Sequence, residues 1–258
     1  MPPTTYYASR RIGDDDPEPV SAPVSETAGP PARTRGDVVR TGVRTLGELL
    51  ITAGLVLLLF AAYEIWGKAV IVQQHQNDLD KQLAQIWGDS GDPSHGPTTA
   101  APSAGKAPPG WAIARLYIPK LKKHWVVVEG VSLADIKWAP GHYPKSAKPG
   151  ELGNFAVAGH RSPAIFWDLD KMNVGDEIVV ETQTTFYTYR VTTRKIVKPT
   201  DVNVVAPVPG HPNEKPDTAM LTITTCDPKW DNYHRLIVHA VLKGSSPRKD
   251  GLPEALRS

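Results

Sequence analysis

The sequence predicts an all-β domain placed behind a single membrane-spanning helix. Short runs rich in Val, Ile, Thr and aromatic residues follow Trp111 and are separated by turn signals, whereas prolines crowd the first third of the chain. A long uncharged apolar run precedes the strand region. Many short strands with few helices are typical of a closed barrel or a sandwich. The net charge of +2 gives no indication of a nucleic-acid partner.

The first 44 residues are the predicted cytoplasmic segment. Their stretch DDDPEPVSAPVSETAGPPARTRG has many Pro, Ser, Asp and Glu residues and no apolar period. Such a composition cannot bury enough apolar surface to offset the entropy lost on ordering. Residues 1–44 are therefore predicted to be disordered.

Residues 45–72 are predicted to be an uncleaved transmembrane signal anchor. The run from Leu49 to Tyr63 carries no charge, and a bilayer core requires roughly 20 mostly apolar residues in a helix. Arginines precede the run and few lysines follow it, so the positive-inside rule places the N-terminus in the cytoplasm. The alternatives are a buried helix of a globular core and a cleaved signal peptide. The length of the run and the lack of a clean A-x-A site disfavour them.

Residues 73–110 connect the span to the strand region. The stretch KAVIVQQHQNDLDKQLAQIWG is predicted to continue the membrane helix above the surface, because apolar residues recur along one stripe. The stripe consists of Val70, Leu79, Leu83 and Trp87. The Pro/Gly/Ser/Ala-rich stretch that follows is a semi-flexible linker, which spaces the next domain away from the bilayer.

Residues 111–243 are the predicted β domain, and residues 244–258 are a C-terminal tail. A short helix is predicted within the domain at SPAIFWDLDKM, where Ser162 can cap the N-terminus and Pro163 takes the first position. Seven stretches are predicted strands: WAIARLYIP, HWVVVEG, GNFAVAGH, GDEIVVET, TFYTYRVTTRKIVKP, TAMLTITTC and HRLIVHAVL.

The single cysteine lies at the end of the run LTITTC. An exported chain normally pairs its cysteines, so an odd one indicates a reactive thiol or an intermolecular bridge, with a buried inert thiol as the alternative. Strand alternation puts Leu221, Ile223 and Thr225 on the apolar face and Cys226 on the other. Asp-Pro then breaks the strand, so the sulfur is predicted to be accessible at its rim.

Arg235 begins the last predicted strand and points to the same non-core side as Cys226. A cation beside a cysteine stabilises the thiolate and can hold a developing oxyanion, although a lone arginine is usually a solvated surface charge. His160 ends another strand, where an acid/base group would be fixed yet exposed. Spacing alone does not choose between His160, His142 and His234.

The three blocks APGHYPKSAKPGELGNFAVAGHRSP, LTITTCDP and HRLIV together resemble the sortases, the cysteine transpeptidases of Gram-positive surfaces. The order of His, Cys in a T-[IL]-T-T-C context and Arg matches the triad of that family. The GHYP and TTCDP motifs are most similar to class E, the housekeeping type of actinobacteria. This resemblance covers about residues 111–242 and implies a closed, eight-stranded antiparallel barrel.

The resemblance also implies residue roles. Cys226 would be the nucleophile, His160 the proton carrier and Arg235 the anchor for the substrate carbonyl and oxyanion. Tyr143 and Thr225 would bind substrate, and a tyrosine in the GHYP motif is associated with a preference for LAxTG over LPxTG. We expect no metal and no cofactor.

The implied partners are surface proteins with C-terminal LAxTG- or LPxTG-type sorting signals, and an amine of lipid II or another peptidoglycan precursor. Cleavage between Thr and Gly would proceed through a thioester. The implied location is the cell membrane, crossed once, with the catalytic domain outside and facing the wall.

Three other functions are weighed against this one. A pilin-polymerising sortase commonly carries a lid segment, which the linker does not resemble. An L,D-transpeptidase would carry a His-Gly-Cys-type signature, which TTCDP is not. The third is a membrane-tethered, non-catalytic binding domain in which the cysteine is incidental.

Overall fold

A computed structural model describes residues 35–88 and 107–257 of the chain. The predicted disorder of residues 1–34 and the predicted linker over residues 89–106 lie outside the described residues. Two long helices and eight strands make up the described part. The helices are α1 (Arg35–Ala62) and α2 (Lys68–Trp87), joined by a π-helical turn. The strands are β1 (Ala112–Ile118), β2 (Lys123–Glu129), β3 (Gly141–His142), β4 (Gly153–Ala158), β5 (Glu177–Glu181), β6 (Thr185–Val197), β7 (Ala219–Asp227) and β8 (His234–Pro247).

The eight strands close into a barrel in the order β1-β2-β3-β4-β7-β8-β6-β5. This confirms the closed eight-stranded barrel. The expected antiparallel arrangement holds between all neighbours except β2–β3 and β4–β7, which are parallel. The seven predicted strands are present, and β3 is additional. Two residues are too few to show an alternating pattern, so β3 has no signal in the sequence.

The barrel interior is filled by aliphatic and aromatic side chains from alternate strand positions, as the period of two requires. Leu116, Phe155, Leu221 and Val238 are fully buried there. Strand β7 is unusual because its outward-facing residues are buried as well, Thr222 completely. Side chains of the neighbouring strands cover part of this face, and the last two residues of β7 are partly exposed.

The segment predicted as a short helix over residues 162–172 differs from the expectation. It consists of turns followed by one 3₁₀ turn, Leu169–Lys171. Ile165, Phe166, Leu169 and Met172 are all essentially buried. The local capping signal is overridden because these apolar side chains must reach the core from a compact loop.

Helix α1 contains the one stretch among the described residues that is long and apolar enough to cross a membrane, Val39–Ala62, with a hydropathy of 2.1. None of this stretch is buried, and Leu57 is 68% exposed. The helix begins at Arg35, within the segment predicted to be disordered. An ion pair at 2.9 Å between Arg44 and Glu48, four residues apart, supports the first half of the helix.

Helix α2 packs against the barrel. Val72 and Leu83 are buried, and Val72 belongs to the main hydrophobic core. Val70 is 59% exposed, whereas the other three residues of the predicted stripe belong to a second hydrophobic cluster that includes residues of β1 and β2. Residue 72 was predicted to end the membrane span, whereas the structure buries it in the folded domain.

Polar contacts fix α2 to the edge of β2. The side-chain amide of Gln76 accepts a hydrogen bond from the Val126 amide at 2.6 Å and donates to the Trp138 carbonyl at 3.1 Å. At the other end of the helix, the ring of Trp87 lies between the guanidinium groups of Arg115 and Arg248, at 4.9 and 4.8 Å. The helix thus supplies hydrogen-bond partners for a backbone amide of β2 and for the backbone carbonyl of Trp138.

Candidate active site

Cys226 and Arg235 are directly opposite each other in the antiparallel pair of β7 and β8. Opposite residues in such a pair project their side chains from the same face of the sheet. Both residues are partly exposed, close to the ends of their strands. The structure therefore brings the predicted thiol and the predicted guanidinium to one place.

His160 leaves strand β4 beside the same strand end. The parallel pairing of β4 with β7 sets Ala158 level with Thr224, and the amide of Gly159 donates to the Thr224 carbonyl at 3.1 Å. Continuing this register by two more residues on each strand brings His160 level with Cys226. Three side chains from three strands thus converge at one end of the barrel.

Glycine is required at position 159 for this arrangement. A Cβ atom there would lie 2.6 Å from the ring of Phe166, which packs back over the turn. The backbone carbonyl of His160 accepts a hydrogen bond from the Phe166 amide at 3.2 Å. The backbone of the histidine is therefore held by the loop that follows it.

Burial of the imidazole lowers the pKa of His160 below its ordinary value near 6.5. The ring is therefore mostly neutral at neutral pH. In the part of the chain that the structure describes, no hydrogen bond joins the Cys226 thiol to His160 or to Arg235.

Among the described residues, the guanidinium of Arg235 makes its hydrogen bonds through Nη1 alone. Nη1 donates to the carbonyls of Asn232 and His234, both at 2.9 Å. These bonds hold the group against the loop between β7 and β8. An arginine has five N–H donors, so Nε and Nη2 keep donors for another acceptor.

Arg161 is a site residue that the sequence reasoning missed. Its side chain is 3% exposed, and Nη1 donates both to the carbonyl of Cys226, at 3.3 Å, and to the carboxylate of Asp227. Nη2 pairs with Asp170 at 3.1 Å. Arg161 thus ties the turn after β4 to the backbone of the cysteine. Its position directly after His160 was the only signal in the sequence.

Tyr143 lies on the outer face of the sheet, next to the strand that carries the cysteine. Its hydroxyl is 3.3 Å from Oγ1 of Thr224, which shares a face with Cys226. An open groove runs beside this tyrosine. Its walls are residues 143–146 on one side and residues 202–207 on the other.

The structure places Thr225, the second predicted substrate-binding residue, differently. Its side chain is 3% exposed and faces the barrel interior with Leu221 and Ile223. Among the described residues its hydroxyl has no hydrogen-bond partner. Thr225 therefore does not share the face of Cys226, and its role in substrate binding stays a prediction.

The other histidines have different surroundings. His142 is buried, with Nδ1 2.7 Å from the Glu129 carboxylate. His234 is exposed at the first position of β8. His239 is buried against Thr222, and burial lowers its pKa to about 4. Of the three candidates that spacing left open, only His160 is level with the cysteine.

No group of three or more His, Cys, Asp or Glu side chains within residues 35–88 and 107–257 is placed to hold a metal ion. The expectation that the protein needs no metal stays a prediction.

Comparisons with known proteins agree with this geometry. The family model of the sortase domain matches residues 116–243. The chain is 33% identical over 225 residues to the sortase SrtE1 of Streptomyces coelicolor, which covers 83% of this chain and 61% of that protein. It thus spans less than two thirds of that relative. It is 31% identical over 227 residues to SrtE2 of the same organism, which covers 82% of this chain and 86% of that protein.

Solved structures show the same likeness. Sortase E from Streptomyces avermitilis is 41% identical, with a TM-score of 0.53, over 58% of this chain and 100% of that one. The SrtA sortase from Actinomyces oris is 35% identical, with a TM-score of 0.56, over 60% of this chain and 92% of that one.

Proposed function

Because the chain belongs to the sortase family, we propose that it is a membrane-anchored cysteine transpeptidase. Its substrates are surface proteins with an LAxTG- or LPxTG-type sorting signal. It cleaves the signal between Thr and Gly and joins the threonine to an amine of lipid II or another peptidoglycan precursor. One observation carries this proposal: Cys226 and Arg235 are paired at the barrel end where His160 leaves β4.

The first half of the reaction forms a thioester. The Cys226 thiolate attacks the carbonyl carbon of the threonine, and the C–N bond to glycine breaks. His160, as imidazolium, gives its proton to the departing glycine amine. The threonine carbonyl is then bonded to sulfur, which divides one difficult amide exchange into two easier steps.

Arg235 stabilises the oxyanion of both tetrahedral intermediates. The donors on Nε and Nη2 are not used by the loop carbonyls, so they are available to the developing negative charge. Donors that are already oriented toward this charge need little reorganisation during the reaction.

The second half of the reaction transfers the threonine to the acceptor. The acceptor amine attacks the thioester carbonyl, neutral His160 takes the amine proton, and the C–S bond breaks to release the thiolate. The broken amide is replaced by a new amide, so the exchange requires no ATP. This suits a site outside the cell.

The groove beside Tyr143 is proposed to bind the sorting signal. The Tyr143 hydroxyl lies at Thr224, two residues before the nucleophile, so a peptide in the groove would reach the thiol. A tyrosine at this position supports a preference for LAxTG over LPxTG.

The site is proposed to face the cell wall. The apolar helix Val39–Ala62 would anchor the chain, with its arginine-rich N-terminal flank in the cytoplasm and the barrel outside.

Incubation of the full chain in detergent with LAxTG and LPxTG peptides and an amine acceptor tests the proposal. Mass spectrometry should detect the enzyme carrying the peptide as a thioester, and a ligated product. The variant Cys226→Ala should form neither. A second reaction in which the acceptor is a peptide with a lysine side chain tests the pilin-polymerising alternative. Preferential ligation to that lysine would support the alternative. Full transpeptidation by Cys226→Ala would exclude the proposed nucleophile.

A further inference from the structure

A buried glutamate at the end of β2 and a buried histidine on the short strand β3 contact each other. Glu129 and His142 are partners in the parallel pairing of β2 and β3, and the imidazole Nδ1 lies 2.7 Å from the Glu129 carboxylate. Both residues are about 95% buried, at 5% and 4% exposure. The ring of Phe155 stacks on the imidazole at 5.1 Å. The proposed chemistry at Cys226 uses neither group.

Close approach of the two strands makes this contact possible. A Cβ atom at Gly141, the residue before the histidine, would overlap the carbonyl oxygen of Gly130. Only glycine therefore allows β3 to lie against β2 here. The amide of Gly130 donates to the His142 carbonyl at 3.0 Å, which fixes the backbone of the histidine.

The second ring nitrogen of His142 holds the turn that follows β3. Nε2 lies 3.1 Å from the carbonyl of Ala147 and 2.9 Å from Oγ of Ser146. The Ser146 hydroxyl donates to the carbonyl of Tyr143 at 2.8 Å, so its oxygen acts as an acceptor toward the ring. Both ring nitrogens thus face acceptors.

The same turn presents Tyr143 to the groove. The Ser146 amide donates to the Tyr143 carbonyl at 2.9 Å, and the Tyr143 amide donates to the Ala156 carbonyl at 3.0 Å. The phenol then reaches Oγ1 of Thr224 at 3.3 Å. A continuous set of hydrogen bonds therefore leads from the buried carboxylate to Tyr143, which lines the groove.

We infer that Glu129 and His142 are positioning residues, which hold the turn of residues 143–147 so that Tyr143 meets the sorting signal. They set the affinity of the groove without touching the peptide. This inference rests on the proposed function, since it takes the groove as the binding site of the signal. Buried side chains that are hydrogen-bonded to each other in this way hold one geometry.

Kinetics of the full chain in detergent test the inference, with cleavage of an LAxTG peptide as the readout. His142→Ala removes the contacts of both ring nitrogens and should raise KM about tenfold, with kcat nearly unchanged. His142→Gln keeps an N–H donor and should recover part of the loss. Glu129→Gln keeps an acceptor but not the charge, so its KM should lie between those of the wild type and His142→Ala.

Glu181→Gln is the matched control. Glu181 is equally buried, at 3% exposure, and accepts from Tyr117 at 2.6 Å and from Arg115 at 3.3 Å, on strands away from the turn. This variant should melt at a lower temperature and keep the wild-type KM. A loss of stability alone therefore cannot account for the predicted rise in KM.

Amide hydrogen exchange gives a readout that does not depend on activity. The amides of Tyr143 and Ser146 should exchange faster in His142→Ala than in Glu181→Gln. Unchanged KM together with unchanged exchange in His142→Ala would overturn the inference. If the wild type processes no sorting peptide, the proposed function fails, and the exchange result alone then decides whether His142 holds the turn.

Discussion

At the scale of single residues, Arg161 shows how a charged side chain can act on the site through the backbone. Its guanidinium bonds the carbonyl of Cys226 and the carboxylates of Asp227 and Asp170. The turn after β4, the end of β7 and the loop that contains Asp170 are thereby fixed to one another. These bonds add to the pairing of β4 with β7 in holding the sulfur near His160, since no direct hydrogen bond among the described residues joins the two side chains.

We predict that Arg161→Ala lowers kcat for peptide cleavage on the order of 100-fold with little change in KM, because small displacements of a nucleophile have effects of this size. Arg161→Lys keeps the charge but not the several directed bonds, so its kcat should be intermediate. Arg194→Ala is the control, since Arg194 bonds the carbonyl of Asp170 and not the cysteine strand. Equal rates for Arg161→Ala and Arg194→Ala would contradict the prediction.

The pH dependence of the proposed reaction follows from the burial of His160. Its lowered pKa favours the neutral ring at neutral pH. The ring takes up a further proton only in more acidic solution. This uptake occurs as the pH falls through the His160 pKa, which lies below the ordinary value of about 6.5.

We therefore predict that kcat/KM stays level as the pH falls to 6.5 and declines only below that value. The profile of kcat/KM against pH for an LAxTG peptide measures the free-enzyme ionisation directly. An acid-side inflection above pH 6.5 would show that burial does not lower this pKa.

At the scale of elements, α2 belongs to the folded domain. It buries Val72 and Leu83 against the barrel, and Gln76 satisfies the amide and carbonyl groups at the open edge of β2. The predicted role of this segment was only to continue the membrane helix. A β-domain that starts at residue 111 would lack these contacts.

We predict that a version starting at residue 68 melts about 10 °C higher than one starting at residue 107, because two buried aliphatic side chains and the Gln76 bonds are lost in the shorter one. Thermal denaturation followed by circular dichroism measures the difference. Gln76→Ala in the longer version should lower its melting temperature by a smaller amount. Identical melting temperatures of the two versions would show that α2 adds nothing to the stability of the barrel.

At the scale of the whole molecule, the chain combines an apolar helix with a closed barrel, and its thiol is partly exposed near the end of β7. Cys226 is the only cysteine of the sequence, so one thiol reports both the accessibility of the site and the side of the membrane on which it lies.

We predict that a membrane-impermeant thiol reagent labels the protein in intact cells, because the positive-inside rule places the barrel outside. Gel-shift detection of the label, with Cys226→Ala as the unlabelled control, gives the measurement. Labelling only after the membrane is permeabilised would place the site in the cytoplasm.

Many of the strands and two of the site residues could be predicted from local patterns in the sequence. Alternation of apolar and polar residues predicts seven of the strands and separates Cys226 from the core face that holds Leu221 and Ile223. The short connection between β7 and β8 makes the pairing of Cys226 with Arg235 foreseeable, because a tight turn forces neighbouring antiparallel strands. These features depend on residues close together in the sequence.

Other features have no local signal. The two-residue strand β3, the docking of Gln76 on Val126 and the contact of Arg161 with Cys226 join residues that are distant in the sequence. The burial of Thr222 on the outer face of β7 also depends on Asn154 of β4 and His239 of β8, which its hydroxyl contacts. A period of two or of 3.6 residues carries no information about such contacts.

The sequence by itself determined the long apolar helix, the strand-rich domain, and the motifs that place one cysteine, one histidine and one arginine at strand ends. The tertiary structure alone decided which histidine is level with the cysteine, and that α2 is part of the domain. It also decided that Glu129 and His142 meet beside the turn that follows β3. The physical reason is that periodicity and turn chemistry act along the chain, whereas closure of the barrel decides which distant side chains meet.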